Sequence, residues 1–489
     1  MIAMIAVPAP AQQVSTTAPA PQALSRYGLW GVDTSAMDRT VRPGDDFALH
    51  AFGNWYRNTP IPAGERGVWN RFEMERLNDE RIRSVVEGSA RTPTTANQRL
   101  IGDLYNSFMD EARLEQLNAA PLTEDLAAIR SVSSRAELAH MMGRTHGAFG
   151  LAFFEPVMMP DVRNPTRYIL RLHQGGLGAR SREPYLDQRM SGARAAYEAH
   201  AARMLQLAGW RDPSTYARQI VEIETRIAAA SWSQTESEDL ARITNYMTLA
   251  ELERFAPGFP WRSYLAGAGL GRPRNLVVAQ KSAFPQIAEI FANAPLETLK
   301  AWLAFHVVDQ AAPYLSSRFQ QAHFDFWGRM EGLESPLPRS QRAVMLVNST
   351  LSHPVAREYM ARFFPAATKA KLEEMVGHIT TAMAARIRGL DWLSPQTKAE
   401  ALTKLSSLRV GIGYPDGWRD YSGLELTPGD LYGNVQATRA YNWQWQVEKL
   451  RRPVDREEWT DAAAGSRRAG QLFPQLHDVQ RRAPPTSLL

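Results

Sequence analysis

Helix-starting signals and apolar residues at helical spacing recur from Phe72 onward, and they confine the chain to a mainly helical fold. Ser134-Arg-Ala-Glu137 and Thr248-Leu-Ala-Glu251 have capping-box spacing, in which a hydroxyl and a carboxylate satisfy backbone N–H groups that the first turn leaves unpaired. Ser394-Pro395 sets a capping hydroxyl before a proline whose fixed φ suits the first helical position, predicting a helix to about Leu405. Between about residues 366 and 390, Leu372, Met375, Val376, Ile379, Met383, Ile387 and Leu390 form one apolar stripe, which predicts a core-facing helix. One small β element interrupts this pattern. Leu151 to Met158 and Tyr168-Ile-Leu-Arg-Leu172 flank the turn-prone Asp161-Val-Arg-Asn-Pro165. Glycines 175, 176 and 178 then read as a turn, since they match neither the dinucleotide-binding nor the P-loop pattern. Gly411-Ile-Gly-Tyr-Pro-Asp-Gly417 reads as a further loop.

At 489 residues the chain exceeds the roughly 250–300 at which single cores stop growing, so two or more lobes are expected. Its charge of +5 comes from 56 basic and 51 acidic residues that are interspersed, without the basic stripe of a nucleic-acid binder. With no cysteine there is no disulfide, thiolate ligand, cysteine nucleophile or lipidated cysteine. The start, Met1-Ile-Ala-Met-Ile-Ala-Val-Pro-Ala-Pro-Ala11, has an apolar run and an Ala-x-Ala ending but no basic residue before it, as expected of the end of a signal peptide. Residues 12–27 follow as a flexible leader rich in Ala, Pro, Gln, Ser and Thr, and no apolar run is long enough to span a membrane.

An ordered set of short motifs carries a family resemblance. Gly31-Val-Asp33, Met37-Asp38, Arg42-Pro-Gly-Asp-Asp-Phe47, Gly53-Asn-Trp55 and Pro60-Ile-Pro62 open it. Leu104-Tyr-Asn-Ser-Phe-Met-Asp110, Gln174-Gly-Gly-Leu177 and Thr244-Asn-Tyr246 follow. Leu390-Asp-Trp-Leu393, Thr397-Lys398, Gly413-Tyr-Pro-Asp416 with Trp418, Gly433-Asn434 and Pro453-Val-Asp-Arg-Glu-Glu-Trp459 complete it. In order and spacing these resemble the amino-terminal portion of neprilysin and endothelin-converting-enzyme family zinc metallopeptidases. The resemblance implies two largely helical lobes around a cavity that admits small peptides. Residues 31–95 would pack on a thermolysin-like catalytic lobe, here incomplete, and residues 96–459 would form the helical non-catalytic lobe. Residues 1–30 would be the leader and 460–489 an aberrant, disordered tail.

The family's zinc is held by the histidines of His-Glu-x-x-His and a downstream glutamate, because histidines four apart share a helix face. None of the ten histidines begins that motif, and no two lie four apart. No catalytic or metal-binding residue is therefore assigned, and no zinc is expected in this chain. Glu374 and His378 have helical spacing but supply only two ligands, and His140 and His146 have no helical registry. The resemblance also implies arginines that pair with a bound peptide's carboxylate, a bidentate task suited to guanidinium. Aligned on Phe72, Arg76 falls on one of these; Val68 falls on the other, for which Arg66 is the nearest replacement.

The complete family enzyme would be exported to the periplasm or outside the cell, and this chain would be inactive alone. It would be a fragment, a peptide-binding or scaffolding protein, or half of a split peptidase completed by a second chain carrying the catalytic lobe. The residues after Trp459 suit a frameshift. Read one base later, Thr460-Asp-Ala-Ala-Ala-Gly-Ser-Arg-Arg-Ala469 can encode x-Met-Pro-Pro-Gln-x-Val-Asp-Ala, the segment the resemblance implies there. Sequencing past the last codon tests this: no downstream frame with His-Glu-x-x-His would rule the frameshift out.

Overall fold

A computed structural model of the chain describes residues 33–61, 68, 72–179, 181–456 and 458. The leader, Gly31, Pro62, Arg66 and the sequence from Trp459 on lie outside the described residues. The chain forms two compact units, Met1–Phe72 and Glu73–Leu489, whose boundary falls inside the 31–95 segment read from the sequence.

In the first unit, Asp46 caps helix α1 (Phe47–Asn58), accepting the Leu49 N–H at 2.9 Å. Asp38 is buried. The Thr40 hydroxyl, then Arg57 and the Thr40 backbone N–H, hold its carboxyl down at about 2. The apolar side chains of this unit fare differently: Phe47, Phe52, Tyr56 and Ile61 are all exposed.

The second unit begins with α2 (Phe72–Arg91), which buries Ile82, Val85 and Val86, and α3 (Ala96–Met109), capped by Thr95. In α4 (Arg135–Arg144), Ser134 accepts the Glu137 N–H at 3.2 Å, but the Glu137 carboxylate takes the N–H of Ser133, so only half of the expected capping box forms. Strands β1 (Phe154–Asp161) and β2 (Asn164–Gln174) make the expected hairpin, turning at Val162 and Arg163. Helices α5 (Ser191–Leu207) and α6 (Pro213–Ala230) pack together. Two further strands, β3 (Asn245–Thr248) and β4 (Asn275–Val278), complete a sheet of order β1-β2-β4-β3 in which β2 and β4 run parallel. At the end of β3 the Thr248–Glu251 capping box is complete and starts the helix Leu249–Phe255.

Helix α7 (Trp261–Gly267) crosses α4 with backbones in contact. A Cβ on Gly267 would sit 1.9 Å from the His140 carbonyl oxygen, and one on Gly143 would sit 2.1 Å from that of Tyr264. Only glycine fits at either position. Helix α8 (Leu296–Ala311) runs through the core with thirteen residues buried, and its Trp302 packs edge-on against Phe153 with ring centroids 4.9 Å apart. Helix α9 (Ser317–Met330) packs on α5.

Helix α10 (Ala366–Arg388) corrects the sequence reading in part, because, of its apolar stripe, only Leu372 packs against the core and none of the stripe is fully buried. No residue of α10 is buried. It packs on α11 (Pro395–Ser406), which starts at the Ser394 cap and ends one residue past the expected Leu405. Leu372, Val376 and Ile387 are half-buried, while Met375, Ile379 and Met383 form an exposed i, i+4 row. Periodicity identifies the apolar side of a helix but not whether anything covers it. In α12 (Leu431–Glu448), Asn434 binds both backbone groups of Thr427, accepting its N–H at 2.7 Å and donating to its carbonyl at 2.8 Å, which fixes the preceding loop.

Candidate functional site

Arg76 lies in the second turn of α2, half-exposed, and pairs with Glu80 one turn later. Arg66, its proposed companion, lies outside the described residues. Glu374 and His378 do share a face of α10, but they form an exposed ion pair with His378 Nε2 3.7 Å from Glu374 Oε1. Two ligands in open solvent do not fit the family's catalytic zinc, which needs three protein ligands in fixed geometry. His140 and His146 do not converge. His140 is exposed on α4, whereas the His146 ring packs against Tyr264 and Trp443. The Tyr264 hydroxyl donates to the Phe154 carbonyl, so His146 Nε2 must donate the 2.8 Å hydrogen bond to the Tyr264 oxygen. Burial lowers the pKa of His146 to about 4.

The glycine-rich turn after β2 is packed inward. Gly175 donates its N–H to Phe153 O at 3.0 Å and Gly178 to Glu224 Oε2 at 3.3 Å. A Cβ on Gly178 would strike the Tyr197 hydroxyl at 1.9 Å. These two amides are therefore spent on the protein and not available to a phosphate. Glu224, fully buried on α6, ties the turn to the core. Its Oε1 lies 2.8 Å from Trp302 Nε1 and from His306 Nε2, and its Oε2 accepts the Tyr185 hydroxyl at 2.5 Å. Burial, and then the charge of Glu224, drive the Tyr185 phenol far above its ordinary range.

A second carboxylate gathers imidazoles. Asp309, at the end of α8, has His200 Nε2 at 2.7 Å and His323 Nδ1 at 2.9 Å, both on Oδ1, and accepts the Trp327 indole N–H on Oδ2 at 3.1 Å. Burial acts to raise its pKa, but the hydrogen bonds from the two histidines prevail and hold it well below the usual carboxylate range. Among the described residues this is the one grouping of three His, Asp or Glu side chains with metal-ligand spacing. Sequence reasoning missed it, because the three residues sit on α5, α8 and α9 with no recognisable interval.

A cleft of about 520 Å³ beside β2 is lined by Arg167, Arg272, Arg274 and Arg451. Two of these are committed elsewhere, Arg167 to Asp161 at 2.8 Å and Arg451 to Glu448 at 2.6 Å, which blunts the cleft's charge.

Comparison with known proteins agrees with this architecture. The model of peptidase family M13 matches residues 43–415. Endothelin-converting enzyme-like 1 of Mus musculus is 27% identical over 448 residues, covering 86% of this chain and 58% of that protein. Human endothelin-converting enzyme 1 is 25% identical over 450 residues, with 87% and 58% covered. The chain therefore spans well under two thirds of the length of these relatives. The zinc metalloprotease ZMP1 of Mycobacterium tuberculosis, solved in complex with an inhibitor, superposes with a TM-score of 0.81 at 31% identity, covering 88% of this chain and 67% of that one. PepO from Lactobacillus rhamnosis shares the fold at a TM-score of 0.76 and 20% identity, with 86% and 68% covered.

Proposed function

Because this chain belongs to peptidase family M13, we propose that it is the non-catalytic lobe of an exported zinc metallopeptidase for small peptides, without peptidase activity by itself. The observation that carries this reading is the uncovered apolar row Met375, Ile379 and Met383 on α10, with Trp392 exposed just beyond the helix. A contiguous exposed apolar row favours a protein partner, and a catalytic lobe supplied from elsewhere would cover it. The sequence agrees, since its 489 residues contain no His-Glu-x-x-His to hold a catalytic zinc and activate water.

In this reading Arg76 meets the carboxylate of a bound peptide, after exchanging its exposed pairing with Glu80. The purified chain, supplied with zinc and a fluorogenic peptide, should release no product. Chelator-sensitive cleavage that follows this chain through purification would sink the proposal.

The same apolar row favours a second reading, in which this chain is half of a split peptidase. A separately produced polypeptide carrying the zinc motif should then restore cleavage when mixed with it. Replacing Met375, Ile379 and Met383 together by Gln should abolish that rescue.

A further inference from the structure

Helices α5, α8 and α9 each deliver one metal-ligand side chain to a single point in the second unit. His200 is almost fully enclosed, with its ring stacked on Phe326 at 4.7 Å between centroids; Asp309 is nearly so; and His323 is 26% exposed. The ligand-capable atoms of the three residues lie within 4.8 Å of one another. Trp327, one turn beyond His323, donates its indole N–H across both oxygens of Asp309, at 3.1 Å to Oδ2 and 3.3 Å to Oδ1, while Oδ1 faces both imidazoles. A carboxylate braced by an indole N–H, with one oxygen facing two imidazole nitrogens, has the layout of a metal site together with its outer support.

We propose that His200 Nε2, Asp309 Oδ1 and His323 Nδ1 form a non-catalytic binding site for a divalent transition-metal ion, with zinc the best fit. Two neutral imidazoles and one carboxylate are a mixed nitrogen and oxygen donor set of the kind zinc accepts. Tetrahedral ligands at bond lengths of about 2.0–2.1 Å stand roughly 3.3 Å apart. The two imidazole nitrogens lie 2.7 and 2.9 Å from Oδ1, so separations wider by about half an ångström admit the ion. The exposed quarter of the His323 side chain would provide the entry path and leave the fourth position to water. The bound ion would clamp α5, α8 and α9 together, and this site owes nothing to the catalytic zinc of the family.

The rival account is a hydrogen-bonded triad that merely satisfies Asp309. His323→Asn separates the two, because the Asn amide N–H can still donate to Oδ1 but offers the metal no imidazole lone pair. Wild-type chain dialysed against zinc should retain one ion per molecule by elemental analysis, and its thermal midpoint should rise with added zinc. Cobalt substituted for zinc should give the visible absorption of a tetrahedral site. H323N should fold, by circular dichroism, yet bind zinc at least about tenfold more weakly, and Trp327→Phe should weaken binding by about 10–100-fold. Glu374→Ala with His378→Ala should leave binding unchanged. Should H323N itself fail to fold, the cobalt spectrum and zinc stoichiometry of the wild type decide. Fewer than one retained zinc, equal affinity in folded H323N, or loss of binding in the α10 double variant would each overturn the proposal.

Discussion

Helices α8 and α10 are both rich in apolar residues, yet one is enclosed along most of its length and the other has no fully buried residue. On α8 even Lys300, His306 and Asp309 are buried, and each has a partner: Glu297 at 2.9 Å, Glu224 at 2.8 Å and His200 at 2.7 Å. On α10 the apolar residues divide into half-buried Leu372, Val376 and Ile387 and an open row of Met375, Ile379 and Met383. Amphipathicity is a property of sequence, whereas burial depends on what is available to pack against. Helix α8 finds its neighbours within the second unit. Among the described residues, nothing buries the open side of α10.

The sharpest way to break this contrast is to attack what fastens α8. Glu224→Ala leaves the Trp302 indole N–H, the Tyr185 hydroxyl and the Gly178 amide without their buried acceptor, and removes the partner of His306. Each orphaned buried group costs about 1–3 kcal/mol, and partial relaxation brings the expected total to about 3–5 kcal/mol. Urea denaturation measures it. A loss below about 1 kcal/mol would mean that α8 is held by apolar packing alone.

Acid should act on the enclosed region next. The folded pKa of His146 is lowered to about 4, against an ordinary 6.5, because burial disfavours the charged ring. Between those values the unfolded chain binds the proton and the folded one does not, so stability rises with pH and is lost as pH falls from 6.5 toward 4. At pH 5 the loss is about 2 kcal/mol from this group. Half-buried His173, also lowered to about 4 by burial and then by the Arg171 charge, adds in the same direction. His146→Gln can still donate to Tyr264 and should shrink the difference in urea midpoint between pH 7 and pH 5. An unchanged difference would place the acid sensitivity elsewhere.

Much of this was legible in the sequence where one local signal sufficed. The Thr248 and Ser394 caps start helices where expected, and the hairpin of β1 and β2 lies where the aromatic run and the turn residues placed it. Strands β3 and β4, at four residues each, are too short to show alternation. The Ser134 box failed by one residue, because Glu137 reaches Ser133 instead. The grouping around Asp309 was invisible for a different reason. Its members come from three helices, so no spacing rule links His200 or His323 to it. The packing of Gly143 and Gly267 is likewise a meeting of two backbones that neither stretch of sequence announces alone.

The smallest effect on stability is expected on α10, and its smallness is the informative result. Met375→Gln, Ile379→Gln and Met383→Gln, made together, replace three exposed apolar side chains with a residue that forms helix about as well. No cavity opens, and no buried hydrogen bond is lost. The stability of the isolated chain should change by less than about 0.5 kcal/mol. Its surface behaviour should change far more: binding of a hydrophobic dye and self-association on size-exclusion chromatography should both fall, because an exposed apolar row is gone. The same change at three apolar positions of α8, such as Leu299, Leu303 and Val307, would bury polar amides without partners and should abolish folding. If instead the α10 triple variant unfolds, its open row is already covered within this chain, and the contrast between the two helices disappears.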